Sequence, residues 1–386
     1  MPDAAAEEKE SREAGADESG TEAASDTAAE TAAAGTEIPG LTFDHTMPLK
    51  YAQNFTVEYY QGGYALIMLR EDGRFLVVPE GMSAPEGLDE DIVVLQQPIQ
   101  NIYLVATSAM DFFASLEGMD SIRLSGTRAD GWYVEEARAA MEAGKILYAG
   151  KYNAPDYEQI VAQNCGLSIE STMIYHTPEV KEKLEEFGIP VLVEHSSYEA
   201  HPLGRAEWIK LYGVLLGKEE LADTLFEAQT EKLSAVESQE STGKTVAFFY
   251  ISSNGYVNVR KSGDYVAKMI ELAGGSYIFP DLGEGDNALS TMNMQMEDFY
   301  AGAKDADFII YNSTIDGELQ NISELLKKSE LLAGFKAVKN GNVWCTTQNL
   351  FQKTTGLVDM IVDIHTMLSS TDPVNEQYTY MYHMAD

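Results

Sequence analysis

Residues 204–240 read GRAEWIKLYGVLLGKEELADTLFEAQTEKLSAVESQE, and the reading of this run decides the fold. Residues 206–216 form a helix that stops at Gly217, since glycine ends helices readily. Residues 218–240 follow as a second helix, with Leu221, Leu225, Phe226, Leu233 and Val236 on one apolar stripe. At ~1.5 Å per residue this helix covers ~35 Å, enough to run along the back of two lobes. On both sides of the run, short apolar strands alternate with helical segments.

Before it, residues 53–79 read as strands, and the Glu71-Asp72-Gly73 turn joins two of them as a hairpin. Strands then fall at 102–106, 145–148, 167–171 and 190–194, with helices at 110–116, 134–143, 157–163 and 178–187. Thr107 and Ser108 precede the first of these helices as candidate caps. After the run come strands at 245–251, 307–311 and 342–345 and helices at 265–273, 296–303, 322–332 and 357–368. Alternation of this kind implies parallel sheets, whose ligands sit beyond the carboxyl ends of the strands. The expected fold is therefore α/β: two Rossmann-like lobes with central sheets flanked by helices, joined by a long interdomain helix. The expected boundaries are an acidic tether over 1–40, a lobe over 41–203, linking helices over 204–240 and a second lobe over 241–386.

The 386 residues carry 26 basic and 62 acidic side chains, a net charge of −36. Such a chain repels phosphate backbones and anionic lipid surfaces, so nucleic acid is not an expected partner. No apolar stretch approaches the ~18–20 residues that cross a bilayer. Residues 1–40 hold eleven acidic residues, two basic ones and twelve alanines, with no aromatic before Phe43. Low hydrophobicity with high charge does not offset ordering entropy, so this zone reads as a disordered tether. No secretory leader is visible, yet a polar tether in front of a domain suits a secreted lipoprotein trimmed of leader and lipidated cysteine. Cys165 and Cys345 form no CxxC pair, which argues against zinc ribbons and disulfide scaffolding. Nucleophile elbows, Walker loops and Gly-rich dinucleotide fingerprints are absent.

Several stretches together resemble the class III substrate-binding proteins of ABC importers, the group serving iron–siderophores, haem and cobalamin. They are YAGKYNAPDYEQI (148–160), LEEFGIPV (184–191), RAEWIK (205–210), ELAGG (271–275), MEDF (296–299) and KAVKNGNV (336–343). The resemblance covers residues 50 to 370. It implies an extracytoplasmic receptor, a membrane-anchored lipoprotein and a monomer. Such a receptor delivers a small-molecule metal chelate to an ABC permease and its ATPase, with no catalytic residue and no cofactor or metal of its own beyond iron or cobalt carried by the ligand. It also implies one docking glutamate per lobe, and Glu158 and Glu297 stand at the matching positions. Exposed ion pairs contribute only ~0–1 kcal/mol each, so they would steer docking more than hold it.

The resemblance further implies a ligand cleft lined from strand ends. First-lobe candidates are Trp132, Tyr133, Glu170, Ser171, Thr172, Tyr175, His195 and Tyr198. Arg205 opens the bridge, and second-lobe candidates are Ser253, Asn254, Tyr256, Arg260, Tyr311 and Phe351. Aromatic walls with a few polar groups suit a bulky, partly apolar chelate. Arginines are scarce, eight in all, and an arginine fork recognises carboxylates. Arg205 has an alternative, a structural pair with Glu194 or Glu207. None of the six histidines forms HExxH or another close metal-ligand spacing. Met292, Met294 and Met296 alternate and read as lining or packing. Iron–siderophore ranks first as cargo, ahead of corrinoid and haem. An enzyme of the two-lobed chelatase type, using His195 with Glu170, is the reading from another class, and a ligand-sensing ectodomain is a third.

Overall fold

The computed structural model describes residues 35–70, 72–283 and 291–385. Residues 1–34, most of the expected tether, lie outside this set. The end of that zone is not free: Thr36 N donates to Glu58 (2.8 Å), Tyr60 OH donates to Thr36 O (2.7 Å), and Ile38 is buried.

Strands β1 (Phe43–Thr46), β2 (Phe55–Tyr60), β3 (Tyr64–Leu69), β4 (Gly73–Val78) and β5 (Ile92–Gln96) form one sheet in chain order. Its ladders are antiparallel except β4–β5. This sheet is separate from the one that follows, which the reading of 41–203 as one lobe did not resolve. Strands β6 (Ile102–Leu104), β7 (Ile122–Ser125), β8 (Leu147–Tyr148), β11 (Ser168–Ser171) and β12 (Val191–Glu194) form an all-parallel sheet in the order β12-β11-β6-β7-β8. A ribbon of β9 (Gly150–Lys151) and β10 (Ala154–Pro155) lies between. The crossovers carry α1 (Met110–Ser115), α2 (Glu135–Glu142), α3 (Tyr157–Ala162) and α4 (Pro178–Glu186). The expected caps of α1 are not used: a 3₁₀ turn over Thr107–Ala109 precedes it, and Ser108 Oγ donates instead to Glu194 (2.6 Å).

The bridge comprises α5 (Pro202–Glu207), α6 (Ile209–Leu216) and α7 (Glu219–Glu237). Pro202 at the first turn and the His201 ring, which accepts from Leu203 N, start it; Gly217 at φ +65° ends α6. Residues 202–215 are all buried, so α5 and α6 form an inner spine rather than a strap along the back. Only α7 is amphipathic, burying Ala222, Phe226, Leu233 and Val236. It packs on α6 and on α12 of the second lobe (Leu357–Ser369).

The second lobe is built on β13 (Thr245–Ile251), β14 (Val257–Arg260), β15 (Ser276–Tyr277), β16 (Thr291–Met294), β17 (Phe308–Tyr311), β18 (Val343–Thr346) and β19 (Met381–His383). Their order is β16-β14-β13-β17-β18-β19, with β15 beside the start of β13. The β13–β15, β13–β17 and β17–β18 ladders are parallel, while the β13–β14, β14–β16 and β18–β19 ladders are antiparallel. Helices α8 (Tyr265–Leu272), α9 (Met296–Ala303), α10 (Ile322–Lys328) and α11 (Lys336–Lys339) complete it with α12. One apolar cluster runs from Phe55 and Leu104 through Trp208 and Tyr212 to Phe248, Ile361 and Leu368, so both lobes share a core through the bridge.

Two buried carboxylates lock the first sheet to that spine. Glu207 accepts from Lys50 N (2.9 Å), Tyr51 N (2.8 Å) and Ala52 N (2.9 Å). Glu199 accepts from Gln53 N (3.0 Å), Asn54 N (3.0 Å) and Trp208 Nε1 (3.0 Å). Leaving donors unmade costs about 1–3 kcal/mol each. Glu207→Ala is therefore expected to lower the unfolding free energy by about 3 kcal/mol, and Glu207→Gln, which keeps an acceptor oxygen, by less. Urea denaturation reads this, and an unchanged midpoint for the alanine variant would refute the clasp.

Candidate functional site

Strand polarity puts the carboxyl ends of β6, β7, β11 and β12 on one side of the first lobe and those of β13, β17 and β18 on one side of the second. Contacts between the two sets show that these sides face each other. Tyr133 N donates to Gln352 Oε1 (2.7 Å), Gln352 Nε2 to Gly131 O (2.9 Å), and Tyr133 OH to Gln348 Oε1 (2.5 Å). Thr354 Oγ1 donates to Ser108 O (2.9 Å), and buried Asp111 accepts from Thr355 N (2.9 Å) beside Lys353 Nζ (3.2 Å). The segment after β18 thus latches the seam on the β6–β7 side.

The β11–β12 end carries a cluster of exposed and half-buried polar rings. Thr172 Oγ1 donates to Tyr198 OH (3.2 Å), and Tyr175 OH lies 3.1 Å from His195 Nε2. His195 sits between Tyr175 and Tyr198, with ring centroids 6.2 and 6.1 Å away. Tyr175 and Tyr198 are exposed, and Ser171 is half-buried beside them. Asp72, on the β3–β4 hairpin, bonds both His195 Nε2 and Tyr175 OH, with Lys181 Nζ 3.9 Å away. Burial pushes the Asp72 carboxyl up, but the bonds to His195 and Tyr175 and the charges of His195 and Lys181 outweigh it, leaving the group below its usual range. The facing lobe presents Ser253, Asn254 and Tyr256, all exposed, in the turn between β13 and β14. Ser252 Oγ donates to Asn254 Oδ1 (2.6 Å).

Three cationic side chains rest on aromatic rings at lobe-facing positions. Arg128 lies 4.1 Å from the Tyr148 centroid, Arg205 lies 4.8 Å from Tyr265, and Arg260 lies 5.0 Å from half-buried Phe351. Arg260 also stands 3.7 Å from Asp264. Arg205 has neither of its expected acidic partners. Glu194 accepts from Ser108 Oγ and Ser196 N (2.8 Å), and Glu207 is committed to residues 50–52.

Other expectations need correction. Trp132, Glu170 and Tyr311 are fully buried and present no surface to a ligand. Trp132 Nε1 turns inward to Ser125 Oγ (3.1 Å). Glu170 and Tyr311 lie within strands, where alternate side chains point under the flanking helices. Glu170 accepts from Ser168 Oγ (2.8 Å), its Oε2 has no hydrogen-bond partner, and burial pushes its carboxyl up to about 8. The pair expected of a chelatase is therefore not assembled, because His195 engages Asp72 and Glu170 lies beneath the sheet. Sequence reasoning missed Asp72, taken only as a turn residue, and Gln348 and Gln352, whose pattern carries no signal. Arg128 was findable, since arginine scarcity pointed to it as much as to Arg205.

Glu158 and Glu297 stand exposed in the first turns of α3 and α9. A recess of about 70 Å³ between Ser115, Ala206, Phe226, Gln229 and Thr355 lies against the bridge and is not lined by strand ends. Among the described residues, no group of three or more His, Cys, Asp or Glu is placed to hold a metal ion, and no helix is long and apolar enough to cross a membrane.

Residues 123–350 match the family model described as periplasmic binding protein. An uncharacterized lipoprotein of Methanocaldococcus jannaschii is 26% identical over 361 residues, spanning 86% of this chain and 84% of its own. A second lipoprotein of that organism is 25% identical over 310 residues, 77% and 76% of the two chains. Among solved structures, a periplasmic heme binding protein of Vibrio cholerae superposes with a TM-score of 0.58 at 16% identity, covering 70% of this chain and 99% of its own. An ABC-type Fe3+-hydroxamate transport protein of Saccharomonospora viridis gives 0.55 at 19%, covering 71% and 94%. A periplasmic catecholate-siderophore binding protein of Vibrio cholerae gives 0.54 at 15%, covering 70% and 94%. At these identities the likeness is one of fold, and it agrees with the two-lobed α/β architecture.

Glu170 makes stability depend on pH. Its carboxyl stays protonated when folded, whereas an unfolded glutamate ionises near 4.5. The contribution is complete below the unfolded value and is lost at about 1.4 kcal/mol per pH unit as pH rises toward the folded one. Glu170→Gln is expected to match the parent in acid and to exceed its stability above pH 8. Denaturation at several pH values decides it, and parallel curves for the two proteins would refute the assignment.

Proposed function

The chain belongs to the periplasmic binding protein family, and on that premise we propose that it is the extracytoplasmic receptor of an ABC importer that captures an iron–siderophore or similar metal chelate between its lobes. The observation that carries this reading is the seam itself. The carboxyl ends of the parallel strands of two separate sheets face each other, with Tyr175, Tyr198 and Thr172 on one side and Ser253, Asn254 and Tyr256 on the other. Rings with hydroxyl and amide neighbours enclose a bulky, partly apolar guest and fix its orientation by a few polar contacts. Capture and release of a guest is the chemistry that these rings, hydroxyls and amides support. A micromolar complex corresponds to ~8 kcal/mol, within reach of aromatic walls closing on one chelate.

A spine shared by both lobes resists bending, so the reading includes only modest closure on binding. Glu158 and Glu297, one exposed on each lobe, would steer the loaded receptor onto arginines of the permease. The lipoprotein relatives support anchoring outside the cytoplasm.

Two measurements test this. Native mass spectrometry of the full chain with ferric trihydroxamate, ferric tricatecholate, haemin and cyanocobalamin is expected to show one ligand retained at 1:1. Tyr198→Ala and Tyr256→Ala should each weaken it about tenfold, or about 1.4 kcal/mol. Retention of none of the four rejects the chelate reading. In cells, Glu158→Lys with Glu297→Lys is expected to abolish uptake while leaving affinity intact, and undiminished uptake would remove the docking role.

A further inference from the structure

We propose that Asp72 is a positioning residue of the seam: from the first sheet it ties the turns carrying Tyr175 and Tyr198 into one fixed wall, which makes that sheet part of the ligand site. This deepens the receptor reading and rests on it for the guest, though not for the wall. Strands β1–β5 span residues 43–96 and lie outside the stretch that matches the family, 123–350, so the family likeness assigns them no role. An Asp-Gly turn forms a hairpin without a buried carboxylate. The Asp72 side chain is nevertheless 5% exposed.

Burying a carboxylate is unfavourable unless hydrogen bonds and opposite charge compensate. Here the compensation comes from the first lobe: Tyr175 OH and His195 Nε2 both bond Asp72 Oδ2, and Lys181 Nζ stands 3.9 Å from Oδ1. Tyr175 belongs to the 3₁₀ turn over Thr172–His176 after β11, and His195 directly precedes the 3₁₀ turn over Ser196–Tyr198 after β12. One oxygen thus joins two turns, which Thr172 and Tyr198 join a second time (3.2 Å). The second turn is also held at its far end. Glu199, next to Tyr198, accepts from Gln53 N and Asn54 N at the start of β2. Arg70 N donates to Asn54 O (2.9 Å) and Asp72 N to Leu69 O (3.3 Å), so residues 53–54 and 72 share one end of the sheet. That end brackets residues 195–199 and leaves the exposed Tyr198 ring on a short span fixed at both ends. Rings on fixed turns lose less freedom when a guest arrives, so Asp72 raises affinity without touching the guest.

The full chain with ¹³C-labelled tyrosine carries the test, with Asp72→Ala set against wild type and no ligand present. The Tyr198 ring signal, assigned with Tyr198→Phe, reports the wall rather than the bond, because Tyr198 meets Asp72 through His195 and the turn. It is expected to shift and broaden in Asp72→Ala, while the signal of buried Tyr311 in the second lobe stays in place and urea unfolding stays cooperative. Of ferric trihydroxamate, ferric tricatecholate, haemin and cyanocobalamin, the one that wild type retains is expected to bind Asp72→Ala about tenfold more weakly. Asp72→Glu, which keeps the carboxylate, should recover part of that loss. An unmoved Tyr198 signal overturns the proposal even if affinity falls, since Asp72 would then act by direct contact. Undiminished affinity overturns it too, as does movement of Tyr311 together with Tyr198, which reports general loosening. If none of the four chelates is retained, the chelate reading fails and the Tyr198 signal still decides whether Asp72 fixes the wall. Should Asp72→Ala not fold, Asp72→Asn, which keeps the size and removes the charge, replaces it with the same outcomes.

Discussion

The burial of residues 202–215 is the constraint on which the rest of the structure depends. A helical segment hydrophobic on all sides belongs in a core, and this one carries Arg205, Glu207 and Lys210 into it as well. Each buried charge then dictates a neighbour. Glu207 gathers the chain at 50–52, and Lys210 reaches Asp223 on α7 (3.1 Å). Because those neighbours lie on the first sheet and on the outer helix, the spine fixes both at once. Arg205 rests on the Tyr265 ring (4.8 Å).

That spine also explains why the lobes share one apolar cluster and meet along a seam. Their apolar cluster is continuous through Trp208 and Tyr212. The seam is then closed on one flank by polar contacts of the segment after β18, and its other flank carries tyrosines, hydroxyls and amides. A stiff connection with a short polar latch favours small relative movements of the lobes. The additional sheet takes part in this flank, since Asp72 on its hairpin bonds His195 and Tyr175.

Much of the secondary structure was legible. The helix at 296–303 lies where the pattern places it, the Asp-Gly hairpin pairs β3 with β4, and Gly217 ends α6 in the left-handed region. These are local effects, decided within a few residues. The site was legible only in part. Tyr175, His195 and Tyr198 do come together, but Trp132, Glu170 and Tyr311 turned inward. The direction of a side chain at the end of a short strand depends on strand length and on what packs below, which spacing does not encode. Asp72 was out of reach for the same reason, because its partners lie more than a hundred residues away.

By itself the sequence determined the alternation of strands and helices, the bridge between two α/β halves and the strong negative charge, since periodicity, glycine stops and composition are properties of neighbouring residues. The tertiary structure alone decided that the bridge is an inner spine, that the first sheet stands apart, and which rings and cations border the seam. Those outcomes depend on how distant surfaces exclude water together and on which carboxylate each buried donor meets, and both are settled only when the whole chain has packed.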